Sequence, residues 1–120
     1  MSLTVTLPWP PAELNPNARA HWRKHARSTK AYRNTCWALS YQSRVKVTWE
    51  GDIHVWLDYY YPNRRSRDED NLIASSKAAL DGLADALKVN DSRFRLHPDF
   101  FLDQVREGGS LVVRLTQFVK

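Results

Sequence analysis

Apolar and polar residues alternate from Leu3 to Leu7, with Leu3, Val5 and Leu7 on one side and Thr4 and Thr6 on the other, the period of a strand with one buried face. Pro8 ends this pattern and opens an irregular stretch, WPPAELNPNARAHW, where four prolines and two asparagines between Pro8 and Asn17 hold the chain extended. Long loops in small domains usually carry function. From Ser28 to about Ser43, Tyr32, Cys36 and Leu39 fall on one helical face, with Ser28 or Thr29 as the cap. Val45 to Trp49 and Ile53 to Tyr61 alternate again, which predicts a β-hairpin turning near Glu50 and Gly51. The clearest helical stripe is Leu72, Ser76, Ala79, Leu80, Leu83 and Leu87, with Asp70 placed to cap it. Beyond Asn90, Asp91 and Ser92, the segments Phe100 to Val105 and Leu111 to Val119 flank Gly108-Gly109 and read as a second hairpin. These elements predict one α/β domain over residues 1–120, a mixed sheet of about five strands with two main helices packed on it.

A hydrophobic share of 42%, with five Trp, five Tyr and four Phe, is enough to form a core and argues against disorder. No apolar run approaches the ~18 residues of a membrane span, and the N-terminus lacks a secretory pattern, so a cytoplasmic protein with no membrane partner is expected. The single Cys36 excludes an internal disulfide and a multi-thiolate zinc site.

Charge sharpens the picture. The net charge is +5, and between Glu13 and Glu50 no acid interrupts a set that includes Arg19, Arg23, Lys24, Arg27, Lys30 and Arg33. Twelve of the thirteen acids lie from Glu50 onward, so one region suits phosphates and another holds carboxylates. Carboxylates concentrate in RRSRDEDNL, residues 64–72, at a strand-to-helix junction. In extended chain Asp68 and Asp70 point the same way and offer oxygens to one hard cation, while Arg64, Arg65 and Arg67 stand ready for phosphate. Phosphodiester hydrolysis draws on such a cation to neutralise transition-state charge and activate water. A D-x-D at this place is also what an N-cap in a solvated charge run looks like.

The segment RDEDNL, followed by Lys77 and Leu80-Asp81, resembles the R-D-x-D-N-L, Lys, Asp signature of the RusA-like Holliday junction resolvases. The opening LTVTLPWPP, Asn15, Arg19-Ala20-His21-Trp22 and Ala31-Tyr32-Arg33 are similar to the start of that family, and Asn90-Asp91-Ser92 with the glycine turn to its end. The resemblance implies a structure-selective endonuclease that resolves four-way junctions by paired nicks, with Mg²⁺ as the metal (Mn²⁺ substituting) and no organic cofactor. It also implies a phage or prophage setting and a homodimer, whose two-fold axis would match the junction. On this basis Asp68, Asp70 and Asp91 would be metal ligands and Lys77 a catalytic cation. Arg19, Arg23, Lys24, Arg27, Lys30, Arg64, Arg65 and Arg67 would contact DNA.

Two spacings depart from a simple reading. A helix of roughly 17 residues would carry its end ~25 Å from Asp70, so Asp91 would meet Asp70 only if the helix ends earlier, if the chain folds back, or across a dimer. The family's lysine lies one helical turn after the second aspartate, whereas Lys77 lies seven residues after Asp70; it either reaches a phosphate or the leaving oxygen from the Asp70 side of the helix, or forms an i,i+4 pair with Asp81 on an exposed face. His21 and His25 lack further zinc ligands, and Trp9, Trp22 and Tyr60 are either base-stacking or core aromatics. Asn15 either orients the loop at the site or stabilises a turn before Pro16. The rival readings are a branched-DNA-binding protein that does not cut, and a nuclease for flaps or forks.

Overall fold

The first strand, β1 (Leu3–Pro8), buries Val5 and Leu7 and exposes Thr4 and Thr6, as its alternation requires. The structure is a computed structural model that describes residues 3–119; residues 1, 2 and 120 of the expected domain lie outside the described residues. A single 3₁₀ turn at Ala12–Leu14 breaks the proline-rich loop and buries Leu14. The first helix, α1, spans Trp22–Gln42 and starts six residues before Ser28. Its cap is His21, whose Nδ1 accepts the Arg23 N–H at 3.1 Å. The expected caps are interior: Thr29 donates to the His25 carbonyl (2.8 Å), and Ser28 donates to Glu13 (3.1 Å), tying helix to loop.

The next strand, β2 (Ile53–Tyr60), alternates strictly between buried and half-buried residues. Two helices follow, α2 (Glu69–Ser75) and α3 (Lys77–Leu87), where the sequence stripe predicts one. A 3₁₀ turn at Asp91–Arg93 leads into β3 (Phe94–Phe101), and β4 (Ser110–Thr116) completes the sheet. The strand order is β1-β4-β2-β3; β3 runs parallel to β2, and β4 is antiparallel to both β1 and β2.

Both expected hairpins are therefore corrected. Residues 45–49 form no strand, because both edges of β2 are occupied by β3 and β4. The segments flanking Gly108-Gly109 do not pair with one another: β2 lies between β3 and β4, and the third strand begins at Phe94 rather than near Phe100. The sheet thus has four strands, close to the expected five, and the α/β class holds. Gly109 makes the turn into β4 at φ +72°, and a Cβ there would meet the Trp9 side chain at 2.9 Å.

The core is the helix-facing side of the sheet, with Val55, Leu57, Tyr59, Leu111 and Val113 fully buried against Cys36, Ala79 and Leu83. Helices α1 and α3 approach so closely that a Cβ on Gly82 would lie 2.5 Å from the Arg33 carbonyl oxygen. Arg33 and Asp85 close the same contact at 2.7 Å on the outside. Among the described residues no helix is long and apolar enough to cross a membrane.

Candidate active site and nucleic-acid interface

Pro8 and Tyr60 both face Ser110, and Tyr60 pairs with Phe101, so the carboxyl ends of β1, β2 and β3 share one end of the sheet. The loops after β1 and β2 leave from that end, the usual ligand-binding side of an α/β sheet. Between them lies a cleft of about 250 Å³ lined by Trp9, Asn15, Arg65, Arg67, Leu72 and Ser75. Asn15 accepts the Asn17 N–H at 2.8 Å, so it shapes the loop turn while facing the cleft. Arg67 lies 5.5 Å over the Trp9 ring and 5.6 Å over Tyr61, and its Nη1 donates to the Arg65 carbonyl at 2.8 Å. Burial and the neighbouring Arg65 cation both lower its pKa. Trp9 itself packs on Tyr59 and Tyr61 at the core margin.

The acidic cluster starts α2. Asp68, not Asp70, is the N-cap: its backbone is extended (φ −65°, ψ 122°) and Oδ1 accepts the Asn71 N–H at 3.0 Å. Asp70 already belongs to the first helical turn, so the two carboxylates flank a helix start instead of sharing the side of an extended chain. Both are exposed, and Asp70 has no side-chain partner among the described residues.

The break between α2 and α3 has a local cause. Ser75 and Ser76 donate their hydroxyls to the carbonyls of Asn71 (2.7 Å) and Leu72 (2.8 Å), a back-bonding pattern that bends helices. Ser76 is fully buried and also lies 2.7 Å from the Tyr59 hydroxyl, which fixes the bend to β2. Burial pushes the Tyr59 hydroxyl up to about 12. Lys77, the first residue past the bend, pairs with Asp81 at 3.6 Å and stays 75% exposed, the plain structural role weighed from its spacing.

Lys88, at φ 58°, reverses the chain after α3 and brings Asp91 back beside Asp81. Asp91, Asp81 and Lys77 rim a groove of about 400 Å³ whose floor includes Ile73, Leu80 and Phe94. Asp91 shares this groove with Ile73 and Ala74 of α2 as well as with Asp81, whereas Asp68 and Asp70 do not line it. Among the described residues, no three His, Cys, Asp or Glu side chains gather to hold a metal ion. Asp68 and Asp70 provide hard oxygen donors of the kind a divalent cation takes, and Asp91 does not join them in one cluster.

The cations predicted to meet DNA lie on separate surfaces. Arg19, Arg23, Lys24, Arg27 and Lys30 are exposed on α1 and the loop before it; Arg65 is exposed at the cleft, and Arg64 is exposed in a separate hollow with Phe100, Leu102 and Asp103. Arg23 also lies 5.1 Å over the ring of Trp22, which is 68% exposed. Trp37 and Tyr41, not among the residues predicted from the sequence, are exposed on α1 and stacked at 5.4 Å. Their spacing, four residues apart on the basic face of the helix, was the signal that could have found them.

No protein-family model matches the chain. An uncharacterized protein of Xylella fastidiosa (strain Temecula1) is 37% identical over 116 residues, covering 94% of this chain and 75% of that protein. The chain belongs to the same family as that protein. The crossover junction endodeoxyribonuclease RusA of Escherichia coli K12 is more distant, 28% identical over 121 residues that cover 95% of this chain and 93% of RusA. RusA of Shigella sonnei has the same identity and coverage. The chain's distant similarity to RusA thus extends over nearly the whole length of both proteins.

Proposed function

We propose that this protein is a Mg²⁺-dependent endonuclease, with Mn²⁺ able to substitute, that resolves four-way DNA junctions as a homodimer. The observation that carries the reading is the position of R-D-x-D-N-L: Asp68 and Asp70 open α2 beside the Arg65–Arg67 cleft, in a chain similar to RusA over nearly its whole length. Asp68 keeps Oδ2 free while Oδ1 caps the helix, and Asp70 is unpaired, so both can present oxygens.

Asp91 completes the set from a second copy. The groove between α2–α3 and β3 has apolar side chains on its floor and Asp91 at its rim, and Leu96 on its strand wall is 38% exposed. A two-fold axis through this groove near Lys77 would set Asp91 of each copy beside Asp68 and Asp70 of the other, giving two equal sites for two opposed nicks. A bound divalent cation would supply charge neutralisation at the scissile phosphate and a more acidic water. Arg64 and Arg65 hold the phosphate chain beside the carboxylates, and the basic face of α1 reads the junction arms through their backbones.

Cleavage of a labelled four-way junction tests the reading. Wild-type protein with Mg²⁺ is expected to make paired nicks and to spare linear duplex, with activity lost on chelation and reduced at least ~100-fold in Asp70→Asn. Tight junction binding without cutting would favour the second reading, a branched-DNA-binding protein of phage or prophage origin. The Lys77–Asp81 pair, which withdraws the candidate catalytic cation, is the observation on that side. Cutting of flaps or forks in preference to junctions would reassign the substrate.

A further inference from the structure

One exposed stripe runs the length of α1: Arg23, Arg27, Lys30, Asn34, Trp37 and Tyr41 recur at alternating steps of four and three and are all solvent-exposed. Its first half is cationic; its second half ends in Trp37 and Tyr41, 43% and 63% exposed, with their rings 15° from parallel. Neither ring belongs to the hydrophobic core. A tryptophan kept outside a core that has room for Trp9 and Trp49 at its margin calls for a partner with a flat ring surface.

Tyr41 also forms the wall of a groove of about 840 Å³ between the end of α1, residues 44–48 and the end of α3. Arg44, Lys46 and Lys88 line this groove and no acidic side chain does. Arg44 (φ 59°) and Lys88 (φ 58°) are the two non-glycine residues with positive φ among the described residues. Each follows a helix end, where glycine would sit without strain. The helix dipoles favour a cation there, and the consequence is that two long basic side chains flank one acid-free groove.

We infer that the Trp37–Tyr41 stack and the Arg44/Lys46/Lys88 groove form a binding site for single-stranded nucleic acid, the rings stacking on unpaired bases and the cations following the phosphates. The chemistry excludes a plain anion site, because an anion has no use for the rings. It also differs from the duplex contacts of the N-terminal half of α1, because bases present their faces only where they are unpaired. The inference shares with the proposed function the need for a nucleic-acid partner and is independent of cleavage.

Binding of a labelled oligothymidylate, compared with an abasic strand of the same length, tests it. The wild type is expected to prefer the oligothymidylate about tenfold, as stacking of a base on an aromatic side chain provides. The double variant Trp37→Ala/Tyr41→Ala should lose that preference and bind the abasic strand unchanged. Arg44→Gly/Lys88→Gly, which relieves the backbone, should weaken both strands. Equal binding of the two strands by the wild type overturns the inference, as does an aromatic variant that retains the base preference. An aromatic variant that turns from dimer to monomer with binding intact also overturns it, and assigns the pair to a contact between copies. Junction cutting on the same preparations separates the two claims: cutting without base preference sinks this inference alone, and base preference without cutting sinks only the nuclease.

Discussion

Asp68 caps α2 and, in the proposed reading, also holds the metal, two tasks that substitution can separate. Its Oδ1 caps α2, a role that asparagine fills as well as aspartate, whereas an amide oxygen is a far poorer ligand for a hard cation. Asp68→Asn is expected to unfold within a few tenths of a kcal/mol of wild type by urea titration and to lose cutting, while Asp68→Ala should cost about 1 kcal/mol as well. Equal loss of stability in both variants would leave the capping role unsupported. Asp58 shows the opposite economy. Burial on the outer face of the sheet, and then the nearby Asp99 carboxylate, raise its pKa despite Arg114 and Arg106. The folded protein therefore holds the Asp58 proton more tightly than the unfolded chain, so ionisation penalises the fold above the raised pKa, and the penalty is relieved as pH falls through it. Asp58→Asn is expected to raise the melting temperature at neutral pH, with the gain shrinking in acid; a gain independent of pH would assign it to packing.

At the scale of elements, the bend at Ser76 governs where the candidate site residues stand. Ser76→Ala removes the hydroxyl that serves both the Leu72 carbonyl and Tyr59 and leaves the buried Tyr59 hydroxyl without its partner. A loss of about 1–3 kcal/mol is expected by chemical denaturation, and a loss below a few tenths would mean that the bend rests on packing alone. This bend was not legible in the sequence. Leu72, Leu80, Leu83 and Leu87 keep a helical period across it, and serine back-bonding leaves no mark on hydrophobic spacing. The strands show the same limit. The alternation of β1 and β2 is legible because each buries one face. The start of β3 is not legible, because β3 is a sheet edge with Pro98 in its middle and its exposed residues blur the period. Val45 to Trp49 alternates like a strand and is none, since pairing is decided by which neighbours already occupy β2. The R-D-x-D-N-L segment stood out because its composition is unusual, and its place at a strand-to-helix junction was legible. Which aspartate caps the helix was not, because the choice falls within one turn.

For the whole molecule, the parallel pair β2–β3 sets the geometry of the proposed chemistry. A crossover through α2 and α3 must return the chain to the starting end of β2, and so it takes Asp91 away from Asp68 and Asp70. The chain reversal at Lys88 recovers part of that distance and brings Asp91 to the groove it shares with Ile73, Ala74 and Asp81, but Asp68 and Asp70 do not line that groove, and no three acidic or histidine side chains gather among the described residues. In the proposed reading a single copy carries two halves of two different sites, and a two-fold partner makes them whole. Mixing two inactive variants tests this most directly. Asp70→Asn and Asp91→Asn are each expected to be inert on a four-way junction with Mg²⁺. After subunit exchange, the mixed dimer holds one intact site, made of Asp68 and Asp70 from one copy and Asp91 from the other, and should nick a single strand. A mixture as inert as either variant, under conditions where the wild type cuts, would contradict the shared site.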